Sequence, residues 1–475
     1  MSGFRGRTVI MLCMLVAEGV VYAQNAPPVP FHPWDASSAK QPLNVPPPLV
    51  PTYVLDSAKV YTLSELVNIA EQSNPQTRVA WENAKARAAE LGIAESALYP
   101  TMAAAALAGS TRTDIFFGPI FQRQTVETFS PIFILDYVIF DLQRPQEISI
   151  SRSTLLAANF QFNDTHRRII FQVLEAYYRF LDTKGQQEAA EADLKNAQTV
   201  QQAAEARLQN GLATLPDVLE ARSASAQADY DLQAVIGATE IAHGDLASAL
   251  GIPPTTQFQV ESIQNLKMPD NIADTVEASI DKGLSQRPDL MQRVAELRAA
   301  NAETKAARRA YAPKLSLDGN VGLAHSFGEQ EQMPGVYSPT QETWDAKLRL
   351  TWTLFDGLAR EKRLARAEAN QKQAAASVEA IRDQIQNQVW SAYATARTAL
   401  RQQKAAAALL EAATESYHAA LESYNYGVRS QIDVVSAQRA LAAARTADVN
   451  ARTQLLTGMA ALAYQTGDLL YTKIP

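Results

Sequence analysis

The chain has 475 residues, of which 47% are apolar and 20% charged, with a formal net charge of −7. That mild acidity and the lack of any basic block argue against nucleic-acid binding, and no apolar run beyond the N-terminus reaches the roughly 18 to 20 residues of a spanning helix. The single cysteine, Cys13, excludes a disulfide framework.

Arg5 and Arg7 precede an apolar run at 9–17, and Val21-Tyr22-Ala23 ends in a small-residue pattern. This predicts a signal peptide over 1–23, cut after Ala23, and export to a bacterial envelope. Cys13 leaves with it, so the mature chain offers no thiolate ligand or cysteine nucleophile. Residues 24–59, with Pro27, Pro28, Pro30, Pro33, Pro42, Pro46, Pro47, Pro48 and Pro51, predict an extended leader. Thr62-Leu63-Ser64-Glu65 has the form of a capping box, opening a short helix that stops near Asn74-Pro75; a second helix follows over 76–98.

After Pro100, and again after Pro313, the apolar period changes to two. Leu315, Leu317, Gly319, Val321 and Leu323 alternate with Lys314, Ser316, Asp318, Asn320 and Gly322. On the return, Trp344, Ala346, Leu348, Leu350, Trp352 and Leu354 share one face, with Asp345, Lys347 and Arg349 on the other. The first copy has matching strands at 102–113 and 128–140. These predict β-hairpins over about 101–140 and 314–355, with surface loops at 113–126 and 327–341. The strand lengths suit a tilted bilayer crossing, with Trp344 and Trp352 placed as interfacial aromatics.

Long helical patterns follow at 141–210 and 356–426, each roughly 100 Å at 1.5 Å per residue. Return helices run over 217–250 and 433–464. Val434, Ala437, Leu441, Ala444, Ala451 and Leu455 keep a heptad spacing interrupted by Asp448, and Leu194, Ala197, Ala204 and Leu208 do so on the descending side. The turns between them, at 210–217 and 426–433, correspond: Gly211 predicts the positive φ that ends one helix, Thr214 or Asp217 the cap of the next. Gly427 lies 216 positions after Gly211. Asn74-Pro75 and Arg287-Pro288, like Tyr99-Pro100 and Ala312-Pro313, stand 213 apart, and Leu250-Gly251 precedes Thr466-Gly467 by 216. The chain is therefore two copies of one unit, 60–251 and 280–467, joined by a linker at 252–279 and ending in a tail at 468–475.

Two hairpins supply four strands, too few to close a barrel, and an open edge in lipid leaves backbone groups unpaired at several kcal/mol each. Three copies would give twelve strands below which twelve helical rods form a tube, with the Gly211 and Gly427 turns at its tip. That is a conduit. The alternative is a periplasmic adaptor or a structural coiled-coil rod, which the paired β-hairpins disfavour. His32, His166, His243, His325 and His418 are dispersed without metal-ligand spacing, and no nucleophile has an identifiable partner, so neither enzyme chemistry nor a cofactor or metal is expected.

The duplicated plan, with Asn-Gly-Leu-Ala-Thr and Asp-Val-Leu between Asn210 and Leu219 and Tyr-Gly-Val-Arg and Asp-Val between Tyr426 and Val434, resembles the TolC family of outer-membrane efflux and secretion channels. The resemblance spans roughly 61–469. It implies a mainly α protein with membrane β: a homotrimer with a twelve-stranded barrel in outer-membrane lipid and a periplasmic α-barrel. It also implies docking to a periplasmic adaptor (membrane fusion) protein and an inner-membrane pump or transporter, with the tip residues Gly211, Leu212, Gly427 and Val428 as the docking surface. By position, Asp217 and Tyr424 match residues whose hydrogen bond closes the periplasmic gate, Arg429 matches a second constraint, and Asp433 an acidic ring. Pro216 and Ser436 depart from the pattern and imply a gate less tightly latched.

Overall fold

Thr62 and Glu65 open the first helix by exchanging bonds: the Glu65 carboxylate accepts from the Thr62 amide at 3.0 Å, and the Glu65 amide donates to Thr62 Oγ1 at 3.4 Å. The computed structural model describes residues 55–117, 120–272, 274–330 and 333–470, all within the unit Tyr53–Pro475. The predicted signal peptide, Cys13, the leader up to residue 54 and the tail from residue 471 lie outside the described residues.

After the short strand β1 (Val60–Tyr61) come α1 (Leu63–Ser73) and α2 (Pro75–Ser96). Pro75 forbids continuation of α1, and Asn74 caps α2 by accepting from the Gln76 amide at 2.9 Å. The second repeat follows suit with α5 (Val276–Gln286) and α6 (Pro288–Arg309). There Arg287 replaces Asn74. Its guanidinium grips both Asp289 oxygens at 3.1 and 2.6 Å and reaches Gln388 and Gln465 at 2.8 and 2.9 Å.

The long helices are α3 (Arg144–Gln209, 66 residues) and α7 (Ala359–Asn425, 67 residues). They return as α4 (Leu215–Leu250) and α8 (Gln431–Thr466), 36 residues each. Both return helices end on a left-handed glycine, Gly251 at φ 76° and Gly467 at φ 86°. The heptad positions Val434, Leu441, Ala444, Ala451 and Leu455 are buried, and so is the interrupting Asp448, whose Oδ2 accepts from Arg452 at 2.8 Å.

Small residues set how closely these rods approach. A Cβ at Gly458 would lie 3.3 Å from the Ala396 backbone, and one at Gly185 would lie 2.9 Å from Val449 Cγ1. Away from the tips the core gathers Tyr177 with Leu66, Val173, Leu246, Leu250 and Ile263, the aliphatic side chains each worth about 1.5 to 3 kcal/mol by burial. The segment between repeats belongs to this core through Ile252, Phe258 and Val260, and its strand β4 (Gln259–Val260) pairs in parallel with β1.

The sheet runs β2 (Thr101–Phe117), β3 (Ile120–Phe140), β5 (Lys314–Gln330), β7 (Thr340–Thr351), antiparallel throughout, with the short β6 (Met333–Tyr337) on the far end of β5. The first hairpin corrects the expected loop at 113–126: strand pairing continues through Thr111↔Val126 and Thr113↔Gln124 to Phe117↔Ile120. Ile115-Phe116-Phe117 and Ile120-Phe121 are apolar without alternation, and a ladder made by the backbone does not need the alternation to continue. In the second hairpin β5 extends into the expected 327–341 loop, while β7 stops at Thr351, leaving Trp352 and Leu354 beyond it. Trp352 Nε1 instead donates to the Tyr311 carbonyl at 3.1 Å.

Register places Leu315 opposite Leu350, Leu317 opposite Leu348 and Val321 opposite Trp344 and Phe133. That face, with Met102, Phe129, Phe133, Trp344, Leu348 and Leu350, is exposed. The opposite face is charged: Arg349 pairs with Asp318 at 3.3 Å, and Asn320 donates to Asp345 at 3.0 Å. Pro131 interrupts the β3–β5 ladder mid-strand, and Gly322 is the residue beside it, where a Cβ would collide with the Pro131 carbonyl and lie 2.6 Å from Ile132 Cγ2.

Candidate functional site

The two helical tips are built alike. Asn210 ends α3 and Gly211 takes φ 72°; Tyr426 ends α7 and Gly427 takes φ 73°. In the first turn the Gly211 amide donates to Leu208 O at 3.0 Å and the Leu212 amide to Arg207 O at 2.8 Å. In the second, Gly427 donates to Tyr424 O at 3.0 Å and Val428 to Ser423 O at 2.9 Å. This crossed pair satisfies carbonyls that a helix end otherwise leaves open, and a residue with a side chain is strained at that φ.

The next helix starts from a carboxylate. Asp217 Oδ2 accepts from the Thr214 amide at 2.8 Å and its hydroxyl at 2.6 Å. Asp433 Oδ2 accepts from the Ser430 amide at 3.0 Å and its hydroxyl at 2.8 Å. Those hydrogen bonds hold both carboxyls below the usual carboxylate range, the Thr214 hydroxyl contributing most at Asp217 and the Ser430 hydroxyl at Asp433, where Arg429 adds its charge. Among the described residues the hydrogen bonds to Asp217 and Asp433 all fall on Oδ2. Capping therefore leaves the second oxygen of each for another donor.

Tyr424, paired with Asp217 by the resemblance, makes no hydrogen bond to it within the chain among the described residues. It is 6% exposed, in an apolar cluster with Val200, Ala204, Val218, Tyr417 and Val434 that joins both hairpins. Over its ring, at 4.0 Å, lies the Arg207 guanidinium, whose Nη2 donates to Tyr424 O at 2.9 Å and Asn425 O at 3.2 Å. Sequence reasoning missed Arg207: a cation in a last helical turn signals only its own helix end, whereas this one serves α7. Further up, Arg445 of α8 meets Asp193 of α3 at 2.5 Å, and Gln186 donates to Asn450 at 2.9 Å.

Beyond the caps, the tips are apolar and exposed: Leu212 at 76% and Val428 at 78%, with Leu215, Tyr426 and Ile432 around them. Such a patch at the end of a rod fits a protein contact. Among the described residues no group of three His, Cys, Asp or Glu side chains is placed to hold a metal ion, and no helix is long and apolar enough to cross a membrane.

The family model described as outer membrane efflux protein matches residues 66–252 and 279–468. Protein CyaE of Bordetella pertussis is 28% identical over 347 residues, 72% of this chain and 70% of its own. A membrane protein from Pseudomonas aeruginosa superposes with a TM-score of 0.74 at 23% identity, over 88% of this chain and 100% of that one. The Neisseria gonorrhoeae MtrE outer membrane channel, solved in its open state, gives 0.69 at 19% identity, over 90% and 97%. At these identities the solved structures establish the common fold, and the family model, matched in both repeats over most of the chain, establishes descent: this chain belongs to the TolC-type outer membrane efflux proteins, non-catalytic outer-membrane channels with a large periplasmic helical portion that serve tripartite efflux and secretion systems.

Proposed function

We propose that this chain is the passive exit duct of such a system, formed when three copies close their sheets edge to edge, β7 of one against β2 of the next, into a twelve-stranded barrel. The carrying observation is the sheet: one exposed apolar face with Trp344, Leu348 and Leu350, one charged face, and outer strands that each pair with one long neighbour. In lipid an unpaired edge costs several kcal/mol per backbone group, which a neighbouring copy removes. Apolar side chains then meet lipid and the charged face lines water. Light scattering in detergent, with the detergent mass subtracted, is expected to give three chains; a stable monomer overturns the assembly.

At the far end, Gly211, Leu212, Gly427 and Val428 dock the periplasmic adaptor, which links the duct to an inner-membrane pump. What supports this is the exposure of apolar side chains on turns whose shape depends on glycine. Asp217, Tyr424, Arg429 and Asp433 form the gate. Its support is their concentration at those tips and the carboxylate oxygens that capping does not use. An open form in a relative of the same fold accords with a duct that switches.

A further inference from the structure

Arg207 stands four residues before the first tip glycine, and 216 positions on its repeat counterpart is Ser423. The contact it makes is therefore made once per chain, by the first hairpin on the second. Its acceptors are carbonyls at the C-terminal end of α7, where the helix presents the negative end of its dipole. The turn itself engages Tyr424 O through Gly427 and leaves Asn425 O to Arg207.

A planar guanidinium can lie on a ring by its face while donating from its edge, which a lysine ammonium cannot do. Arg207 does both, on the ring and the backbone of the same buried tyrosine. Among the described residues no carboxylate pairs with it; nearby Glu205 is held by Arg222 and Gln201, each at 3.1 Å. Its two bonds are thus directed to the end of α7.

Among the described residues the next polar link between the hairpins is Asp193–Arg445, fourteen residues up α3 or roughly 20 Å at 1.5 Å per residue. Over that length the hairpins share an apolar cluster with several alanines, Ala204, Ala221, Ala413 and Ala444. The same cluster buries Val200, Val218, Tyr417 and Val434, which pack the hairpins together without fixing a direction, and among the described residues Arg207 adds the polar, directional contact at the tip.

We propose that Arg207 is the terminal latch between the two hairpins of each chain, a positioning residue that must release Tyr424 and Asn425 before the second tip can swing away from the first. This rests on reading the tips as the channel gate. It differs from a latch through the Tyr424 hydroxyl, because Tyr424→Phe keeps both the ring and the carbonyl that Arg207 holds.

The test is single-channel conductance of the assembled full chain in planar bilayers, together with spin-label distances between Leu212→Cys and Val428→Cys within a chain. Arg207→Ala is expected to raise the open-to-closed ratio about tenfold, as loss of a charge-assisted hydrogen bond implies, and to lengthen the tip distance. Arg207→Met, which keeps the packed stem, is expected to do the same and stands in if the alanine variant fails to assemble. Arg207→Lys is expected to fall between. If wild type conducts while the Ala and Met variants change neither conductance nor distance, the latch is wrong and the channel reading stands; a longer distance with unchanged conductance also overturns it. A wild-type protein that enters bilayers and conducts nothing overturns the channel reading, and the latch with it.

Discussion

The two repeats use the same backbone devices and load them differently. Each has a proline-opened helix, a glycine tip, a hydroxyl–carboxylate cap and a glycine stop, at an offset that drifts by three residues, from 213 to 216. Yet Asn74 caps α2 and donates one neutral bond to the Ala249 carbonyl of α4 at 3.3 Å, where Arg287 brings a charge that ties α6 to α7 and α8, and Arg207 reaches across where Ser423 does not. Duplication preserved what shapes each hairpin alone. What divides the copies is the charged side chain that one of them sends to the rest of the molecule.

The comparison is tested most severely at Arg287 and Asn74. Arg287→Ala takes the shared cation from Gln388 and Gln465 and leaves Asp289 to Arg167 alone, at 3.6 Å, around a site 3% exposed, and is expected to cost about 3 kcal/mol. Asn74→Ala, which removes one N-cap and one neutral bond to the Ala249 carbonyl, is expected to cost about 1–2 kcal/mol. Thermal unfolding of the pair decides it, and equal losses would erase the distinction.

The tips should instead respond as equals. Gly211→Val and Gly427→Val each strain a left-handed position by about 1–2 kcal/mol, with no atom within 4 Å of the added Cβ. Both are expected to abolish export while leaving the trimer and its membrane insertion intact. Export by either variant would move adaptor docking elsewhere.

A finer asymmetry concerns the gate. Tyr424→Phe combined with Arg429→Ser is expected to raise single-channel conductance, and Asp433→Ala to weaken block by divalent cations, because converging carboxylates bind a cation that relieves their repulsion. Asp217→Ala is expected to leave that block unchanged. Equal effects of the two aspartates on block would make the tips functionally interchangeable.

The smallest effect is on pH. Both capping carboxyls titrate below their usual range in the folded chain, so their caps contribute fully above the unfolded value of about 3.9 and are lost as pH falls through the lowered folded values. Amide exchange at Thr214 and Ser430 should therefore stay protected at pH 5 and lose protection in stronger acid. Arg429 adds its charge at Asp433 only, so Arg429→Ser should shift the Ser430 response and spare Thr214.

The legible parts of this fold were those written within a few residues. Gly211, Gly427 and Thr62 with Glu65 announce their geometry because a positive φ or a capping box is a local requirement. The strand pairing at 114–117 and 120–125 was not legible, since Ile115-Phe116-Phe117 and Ile120-Phe121 break the alternation by which a strand is read, while the ladder is made by the backbone. Arg207 and Arg287 were missed for another reason. Their partners on other helices lie more than a hundred positions away, and only packing brings them together.

The proline–glycine crossing in the sheet bears on how the strands find their alignment. Sliding β5 by one residue along β3 would turn its apolar side chains to the charged face, so side-chain polarity already forbids it. A slide by two keeps every face correct and goes unpunished by polarity. It would, however, bring Asn320 or Ala324 to the place of Gly322, beside the Pro131 carbonyl and Ile132, where no Cβ fits. Pro131 and Gly322 thus act as a key and keyway that admits one alignment of the two halves of the chain.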